Sequence, residues 1–142
     1  MKKVKTHYRI LLVEDNPADV QLTVEAFKEC KSSVQLEAIP NAIEALAFLK
    51  TSETLPDLIL LDLNLPGWDG KKLLREIKSA EKLKRIPIII LTTSNNYQDV
   101  KDSYDLQANC YIVKPIDIDH FFEVVKRIEE FWLTTALLPD GT

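Results

Sequence analysis

Three acids, a hydroxyl and a lysine stand where the aliphatic runs of this chain stop. YRILLV (8–13) leads into Glu14-Asp15, LILL (58–61) into Asp62, IIIL (88–91) into Thr92, and CYIV (110–113) into Lys114. Runs of this kind read as strands sunk in a core, where a bare carboxylate is costly. Carboxylates gathered in one place repel one another, and some take up protons unless a cation neutralises them. With oxygen ligands and neither His nor Cys nearby, the fitting ion is hard, such as Mg²⁺. The expected ligands are Glu14, Asp15, Asp62 and the backbone carbonyl of Asn64. A carboxylate beside such an ion can attack a phosphorus centre in line and form an acyl phosphate. Asp62, alone at its strand end and leading into LNLPGWDG, is the expected nucleophile. Lys114 then supplies a point charge for phosphoryl oxygens, and the Thr92 hydroxyl a hydrogen bond.

The elements that must position these groups are legible from apolar periodicity. Strand patterns cover 8–14, 34–39, 57–62, 86–92 and 109–114, and between them apolar residues recur three and four apart. In the first helical stretch, from Asn16 to Cys30, Val20, Val24 and Phe27 share a face. Asn16 is the expected cap, Pro17 takes the first helical position, and Asp19 completes a loose capping box. Asn41 and Glu44 open the second stretch (41–50) in the same way. The third (70–80) and fifth (117–132) are well patterned, whereas the fourth (96–107) offers only Tyr97, Val100, Tyr104 and Leu106 and is expected to be the least firmly held. Five strands alternating with five helices over short connections imply an α/β fold, a doubly wound parallel sheet covered on both faces. Ligands of such sheets bind beyond the carboxyl ends of the strands, where the winding reverses.

At these residues the chain resembles the receiver domain of a bacterial two-component response regulator. VEDNPAD, LLDLNLPGWDG, ILTTS and YIVKP carry the resemblance, in that order, over residues 8 to 130. It implies a flavodoxin-like sheet in the order 2-1-3-4-5 and a phosphoryl group taken from the phosphohistidine of a sensor histidine kinase. It sets Glu14 and Asp15 on the acidic metal-binding pair, Asp62 on the phosphoacceptor, Thr92 on the switch hydroxyl, Tyr111 on the switch aromatic and Lys114 on the site lysine. A cis Lys114-Pro115 bond is also implied. In the family picture Thr92 moves toward the phosphoryl group, Tyr111 turns into the vacated space, and the surface of helix 4, strand 5 and helix 5 is reshaped. Gln107-Ala108 departs from the usual Gly-Ala before the last strand. Thr93 is bulkier than the usual neighbour of the switch hydroxyl, which implies slower dephosphorylation, and Trp68 reads either as a kinase contact or as a local lid.

Composition narrows the remaining classes. A chain of 142 residues, 46% hydrophobic, suits one domain. The expected division is a tail over 1–7, the receiver over 8–130 and a C-terminal extension over 131–142. No apolar run approaches the roughly 18 residues that cross a bilayer, and MKKVKTHYR lacks a signal core, so a cytoplasmic protein is expected. A net charge of −4 argues against nucleic acid, and the basic stripe of Lys71, Arg75, Lys78 and Lys82 reads as a solvated helix face. Cys30 and Cys110 read as packing residues, and His7 and His120 as surface residues. Too few residues follow Lys114 for an output domain, so a stand-alone receiver is expected. At 100° per residue, the apolar positions of 118–133 span an arc of roughly 200°, about twice what a surface helix needs. The excess, with FWLTTALLP after it, points to a homodimer through helix 4, strand 5, helix 5 and the tail, anchored by Phe131, Trp132 and Leu137. A tail folded back on its own domain is the competing reading. That tail and the Glu14-Asp15 start are also similar to the small response regulators paired with cyanobacterial phytochromes, which implies a light-sensing kinase partner. The same fold also serves phosphorylation-independent interaction modules, which usually lack one of the acids or the lysine. A Mg²⁺-dependent phosphatase would want an acid where Asn64 stands, so self-phosphorylation and slow self-dephosphorylation, not turnover of a substrate, are expected.

Overall fold

Backbone pairing in the computed structural model, which describes residues 5–139, joins all five aliphatic runs into one parallel sheet in the order β2-β1-β3-β4-β5. The strands are β1 (His7–Val13), β2 (Ser33–Ile39), β3 (Leu58–Leu61), β4 (Ile88–Thr92) and β5 (Cys110–Val113). The helices are α1 (Pro17–Lys28), α2 (Ala42–Thr51), α3 (Gly70–Ser79), α4 (Tyr97–Asp105) and α5 (Ile118–Ile128). Every residue of β3 and β4 is buried, as expected for central strands covered on both faces. Leu11, Ile59, Leu61 and Ile88 point toward the side of α2 and α3. Leu12, Leu60, Ile89 and Leu91 point toward α1 and α5. Period-2 alternation thus feeds two core layers from one set of strands. Among the described residues, no helix is long and apolar enough to cross a membrane.

Local signals explain the helix boundaries. The Asn16 side chain accepts from the N–H groups of Ala18 and Asp19, at 2.9 and 3.2 Å, Asn41 caps Glu44, Asp69 caps Lys72, and Asp117 caps His120. Each oxygen satisfies a backbone donor that the first turn leaves orphaned. At the other end of α4, Gln107 takes the left-handed conformation with φ +75°. Its N–H donates to the Tyr104 carbonyl and that of Ala108 to the Ser103 carbonyl, both at 2.9 Å. This is a complete Schellman motif with glutamine where glycine costs least. Two of the three stripe lysines are not simply solvated. Lys71 bridges to Asp99 and Asp102 of α4 at 2.7 and 2.9 Å, and the ammonium of Lys78 donates to Asn109 Oδ1 at 3.0 Å. Once helices pack on a sheet, a stem on the helix flank lies within reach of its neighbours, which periodicity alone does not register.

The last helix does not simply continue. After α5 the backbone widens into a π-helical segment, Glu129–Thr135. Its Leu133 carbonyl accepts from the Tyr8 hydroxyl at the start of β1, and buried Glu129 accepts from Ser32 Oγ at 2.5 Å. Leu133 is buried, and Trp132 and Leu138 pack partly on the α1/α5 side of the core. Phe131 and Leu137 remain exposed, at 54% and 76%. Much of the apolar excess therefore returns to this chain's own core. Of the two terminal segments set apart in the sequence, residues 1–4 and 140–142 lie outside the described residues.

Candidate functional site

Sheet register brings the sequence candidates together. Val13 pairs with Leu61, so Glu14 and Asp62 are the next residues on adjacent strands. Thr92 pairs with Val113, and Lys114 follows directly. The ladder carries on one step, with the Asp62 N–H donating to the Val13 carbonyl at 3.1 Å and the Lys114 N–H to the Thr92 carbonyl at 2.7 Å. Glu14 and Asp62 are 4% and 7% exposed, low enough that each needs a partner. Lys114 supplies it. Its ammonium donates to Glu14 and lies 3.0 Å from Asp19 Oδ2 and 3.2 Å from Asp62 Oδ2. The second oxygens of the two buried acids are held by backbone. Asp62 Oδ1 accepts from the Asn64 N–H at 3.0 Å, and Glu14 Oε2 from the Asn16 N–H at 3.2 Å.

Three carboxylates share one ammonium, so the cluster keeps a net negative charge when all are ionised. Burial first, and then the neighbouring charge of Asp62, push the Glu14 carboxyl up to about 7, against the pull of the Lys114 bond. For Lys114, burial lowers the ammonium pKa, but the bonds and charges of Glu14, Asp62 and Asp19 more than offset it and hold the pKa above the usual lysine range. Among the described residues, no three His, Cys, Asp or Glu side chains are already arranged as a metal shell. The lysine stands between Glu14 and Asp62, and Asp15 is exposed beside them. The donor chemistry nevertheless fits a hard divalent ion: all the available ligands are oxygens, the carboxylates are in excess, and Glu14 holds its proton more tightly than an ordinary carboxyl.

The loop after Asp62 is shaped by two glycines. Gly67 turns at φ +73°. At Gly70 a Cβ would lie 2.5 Å from the Asp62 carbonyl oxygen and 2.7 Å from Leu63 Cα, so only glycine lets α3 begin this close to the acid. Trp68 packs partly against the α2/α3 side of the core, with the Lys72 ammonium 4.1 Å from its ring centroid.

On the other flank Thr92 is fully buried and its Oγ1 accepts a long bond, 3.5 Å, from the Ser94 N–H. Ser94 is a junction that periodicity did not reveal. Its carbonyl accepts from the Tyr111 hydroxyl at 2.8 Å, and its Oγ donates to Asp99 Oδ2 at 2.5 Å. Tyr111 is half-buried and packed inward. Asp19 is the other member that sequence reasoning missed, having been assigned to a capping box. The available signal was its place in the first turn of α1, just beyond the end of β1, where a side chain can reach over the strand ends. One expectation is corrected: Lys114-Pro115 is not cis, because every described peptide bond is trans. Trans is the favoured X–Pro isomer by about 0.5–1 kcal/mol, and the flexible lysine stem reaches the acids from it.

Comparison with known proteins decides the family. Residues 10–126 match the model of the response regulator receiver domain. The chain belongs to the response regulator receiver family. This receiver is 45% identical over 135 residues to the response regulator Rcp1 of Synechocystis sp., covering 92% of each chain. Its fold superposes on the phosphorylated cyanobacterial phytochrome response regulator RcpA with a TM-score of 0.91 and 47% identity, over 94% of this chain and 99% of that one. The Mn²⁺-bound form of Rcp1 gives a TM-score of 0.88 and 44% identity, again over 94% and 99%. These neighbours share the flavodoxin-like order of the receiver sheet found here.

Proposed function

We propose that this receiver is a phosphoryl-accepting switch, with Asp62 as the acceptor and a sensor histidine kinase as the donor. One observation carries the reading: buried Asp62 and Glu14 lie on adjacent strand ends with the Lys114 ammonium between them, above the point where the sheet reverses. In the transfer, an Asp62 carboxylate oxygen attacks phosphorus in line. The bond from phosphorus to the donor atom breaks, and its electron pair leaves with the donor. Lys114 holds the developing negative charge, and the buried Thr92 hydroxyl donates to a phosphoryl oxygen. Glu14, Asp15, Asp62 and the Asn64 carbonyl would hold Mg²⁺, which when bound screens the charge between the carboxylates and the incoming phosphoryl oxygens. Release of Thr92 toward the phosphoryl group loosens the Ser94 junction, and Tyr111 and α4 follow. Asn64, an amide with no proton to give a leaving group, fits a stable acyl phosphate rather than substrate turnover.

Several finer assignments go with this reading. Residues 8–130 form the receiver, with 1–7 and 131–142 as a tail and an extension, in a cytoplasmic protein that acts without nucleic acid. The likeness to Rcp1 and RcpA supports a phytochrome-type kinase as the partner. Exposed Tyr97, Tyr104, Val113, Ile118, Phe131 and Leu137 support a homodimer through α4, β5, α5 and the tail, with half-buried Trp132 at its margin. Incubation with acetyl phosphate and Mg²⁺, read by intact-protein mass spectrometry, tests the core of the reading. One phosphoryl group per chain is expected, absent from Asp62→Asn. A label that survives this substitution, or no label on the native chain, removes it, and the latter favours a phosphorylation-independent module.

A further inference from the structure

We propose that Asp19 is a positioning residue of the phosphoryl site, holding the Lys114 ammonium in the unphosphorylated chain and competing with the phosphoryl group for it. The inference rests on Asp62 being the acceptor. An ammonium has three N–H donors, and here three carboxylates, Glu14, Asp19 and Asp62, claim them. A phosphoryl group on Asp62 brings three further acceptor oxygens and nearly two negative charges. Lys114 can serve it only by giving up a partner.

The three partners are not equivalent. The side chains of Glu14 and Asp62 are 3% and 9% exposed, whereas that of Asp19 is 35% exposed. Releasing a buried acid leaves a charge without compensation in the protein, whereas an acid at the rim is taken up by water. Asp19 is therefore the partner that yields. Its carboxylate is not needed by the helix it sits on. Asn16 supplies the cap, and the Asn16 N–H, which a capping-box acid would bind, donates to Glu14 Oε2 instead. Its backbone is fixed on both sides, by the Asn16 side chain on its N–H and by Thr23 Oγ1, which donates to its carbonyl at 2.7 Å. A pinned backbone whose carboxylate the helix itself does not use is the arrangement that aims an ammonium without burying another charge.

The chemical step is unchanged by this assignment. With acetyl phosphate, an Asp62 oxygen forms the new O–P bond, the P–O bond to the acetyl group breaks, and acetate leaves with the electron pair. Asp19→Asn keeps the size of the side chain and removes its charge, so Lys114 is free for the phosphoryl oxygens from the start. At saturating Mg²⁺, the loading rate of Asp19→Asn is expected to exceed wild type by roughly 3- to 10-fold, the scale of one freed charge-assisted hydrogen bond. The acyl phosphate should also persist longer after the donor is removed. Asp19→Glu, which restores a carboxylate, should return both rates toward wild type, a rescue that a merely structural role would not give. If asparagine impairs folding, Asp19→Ser serves as the second neutral variant. A neutral variant that loads at or below the wild-type rate overturns the proposal. So does a change confined to the Mg²⁺ concentration needed, read by tryptophan fluorescence, which would make Asp19 a metal ligand instead. A wild-type chain that takes no label removes the acceptor reading itself. A wild type that loads beside an unchanged Asp19→Asn removes this inference alone.

Discussion

Helices α3 and α4 lie side by side near the same strand ends, yet they are held by different physics. Fully buried Leu73, Leu74 and Ile77 pack α3 onto the sheet, each side chain contributing about 1.5–3 kcal/mol by leaving water. In α4 only Ser103 is buried, and Tyr97 and Tyr104 are 78% and 50% exposed. Its position depends on polar ties: Lys71 to Asp99 and Asp102, Ser94 to Asp99, and the Gln107 turn. Close-packed apolar contact resists displacement because any gap forfeits it. Partly exposed ion pairs exchange with water at little net cost. A change of charge at Asp62 can therefore move α4 far more easily than α3, and α4 is the helix linked to Thr92 and Tyr111 through Ser94.

Core truncations test the contrast most strongly. Leu73→Ala should cost about 2–5 kcal/mol of global stability by urea unfolding, whereas half-buried Val100→Ala in α4 should cost about 1 kcal/mol. Equal losses would erase the distinction. The acid cluster should give the next largest effect, and it should act on the whole fold. The Glu14 carboxyl is raised from 4.5 to about 7, so between these values the folded chain binds more protons than the unfolded one. Stability from this source is fully present below pH 4.5 and is lost as pH rises through about 7. Thermal melts without divalent ion should show this decline, Glu14→Gln should flatten it, and Mg²⁺ should restore stability on the alkaline side.

The ties of α4 should respond to acid in the opposite sense, and locally. Hydrogen bonds from Lys71 hold the Asp99 and Asp102 carboxyls below their ordinary value of 3.8. Their contribution is present above that value and is lost as pH falls through the depressed pKa. Hydrogen exchange read below pH 4 should show α4 amides losing protection before those of α3. Lys71→Met should reproduce that loss at neutral pH while leaving the urea midpoint nearly unmoved. Loss of protection spread evenly over both helices would show that Lys71 braces the fold as a whole.

How much of this was legible in the sequence follows the same division. Burial has a period, so the strands, the helices and the polar residues ending each run could be read from apolar spacing. Glu14, Asp62, Thr92 and Lys114 were legible because each follows an aliphatic run, and register then made them neighbours. Polar ties between separate elements have no period. Asp19 reaches Lys114 across 95 residues and Lys71 reaches Asp102 across 31, and no spacing along the chain links the two members of either pair. The π-helical segment was hidden for a related reason: its apolar residues continue the pattern of α5, while the wider turn changes which of them reach the core.

The smallest effect tests whether α4 is loosely held by design of its end or only by its sparse face. Gln107 sits at φ +75°, a conformation that costs a side chain with a Cβ about 1 kcal/mol and costs glycine little. Because both Schellman bonds are already made, at 2.9 Å each, Gln107→Gly should keep the turn and remove the strain. A gain of somewhat under 1 kcal/mol is expected, since glycine also enlarges the freedom of the unfolded chain. If the end of α4 limits its mobility, the gain should appear as slower exchange in α4, with α3 unchanged. If the gain appears only in global unfolding, the turn is part of the core fold, and the adjustable part of α4 is its first turn, where Ser94, Asp99 and Lys71 meet.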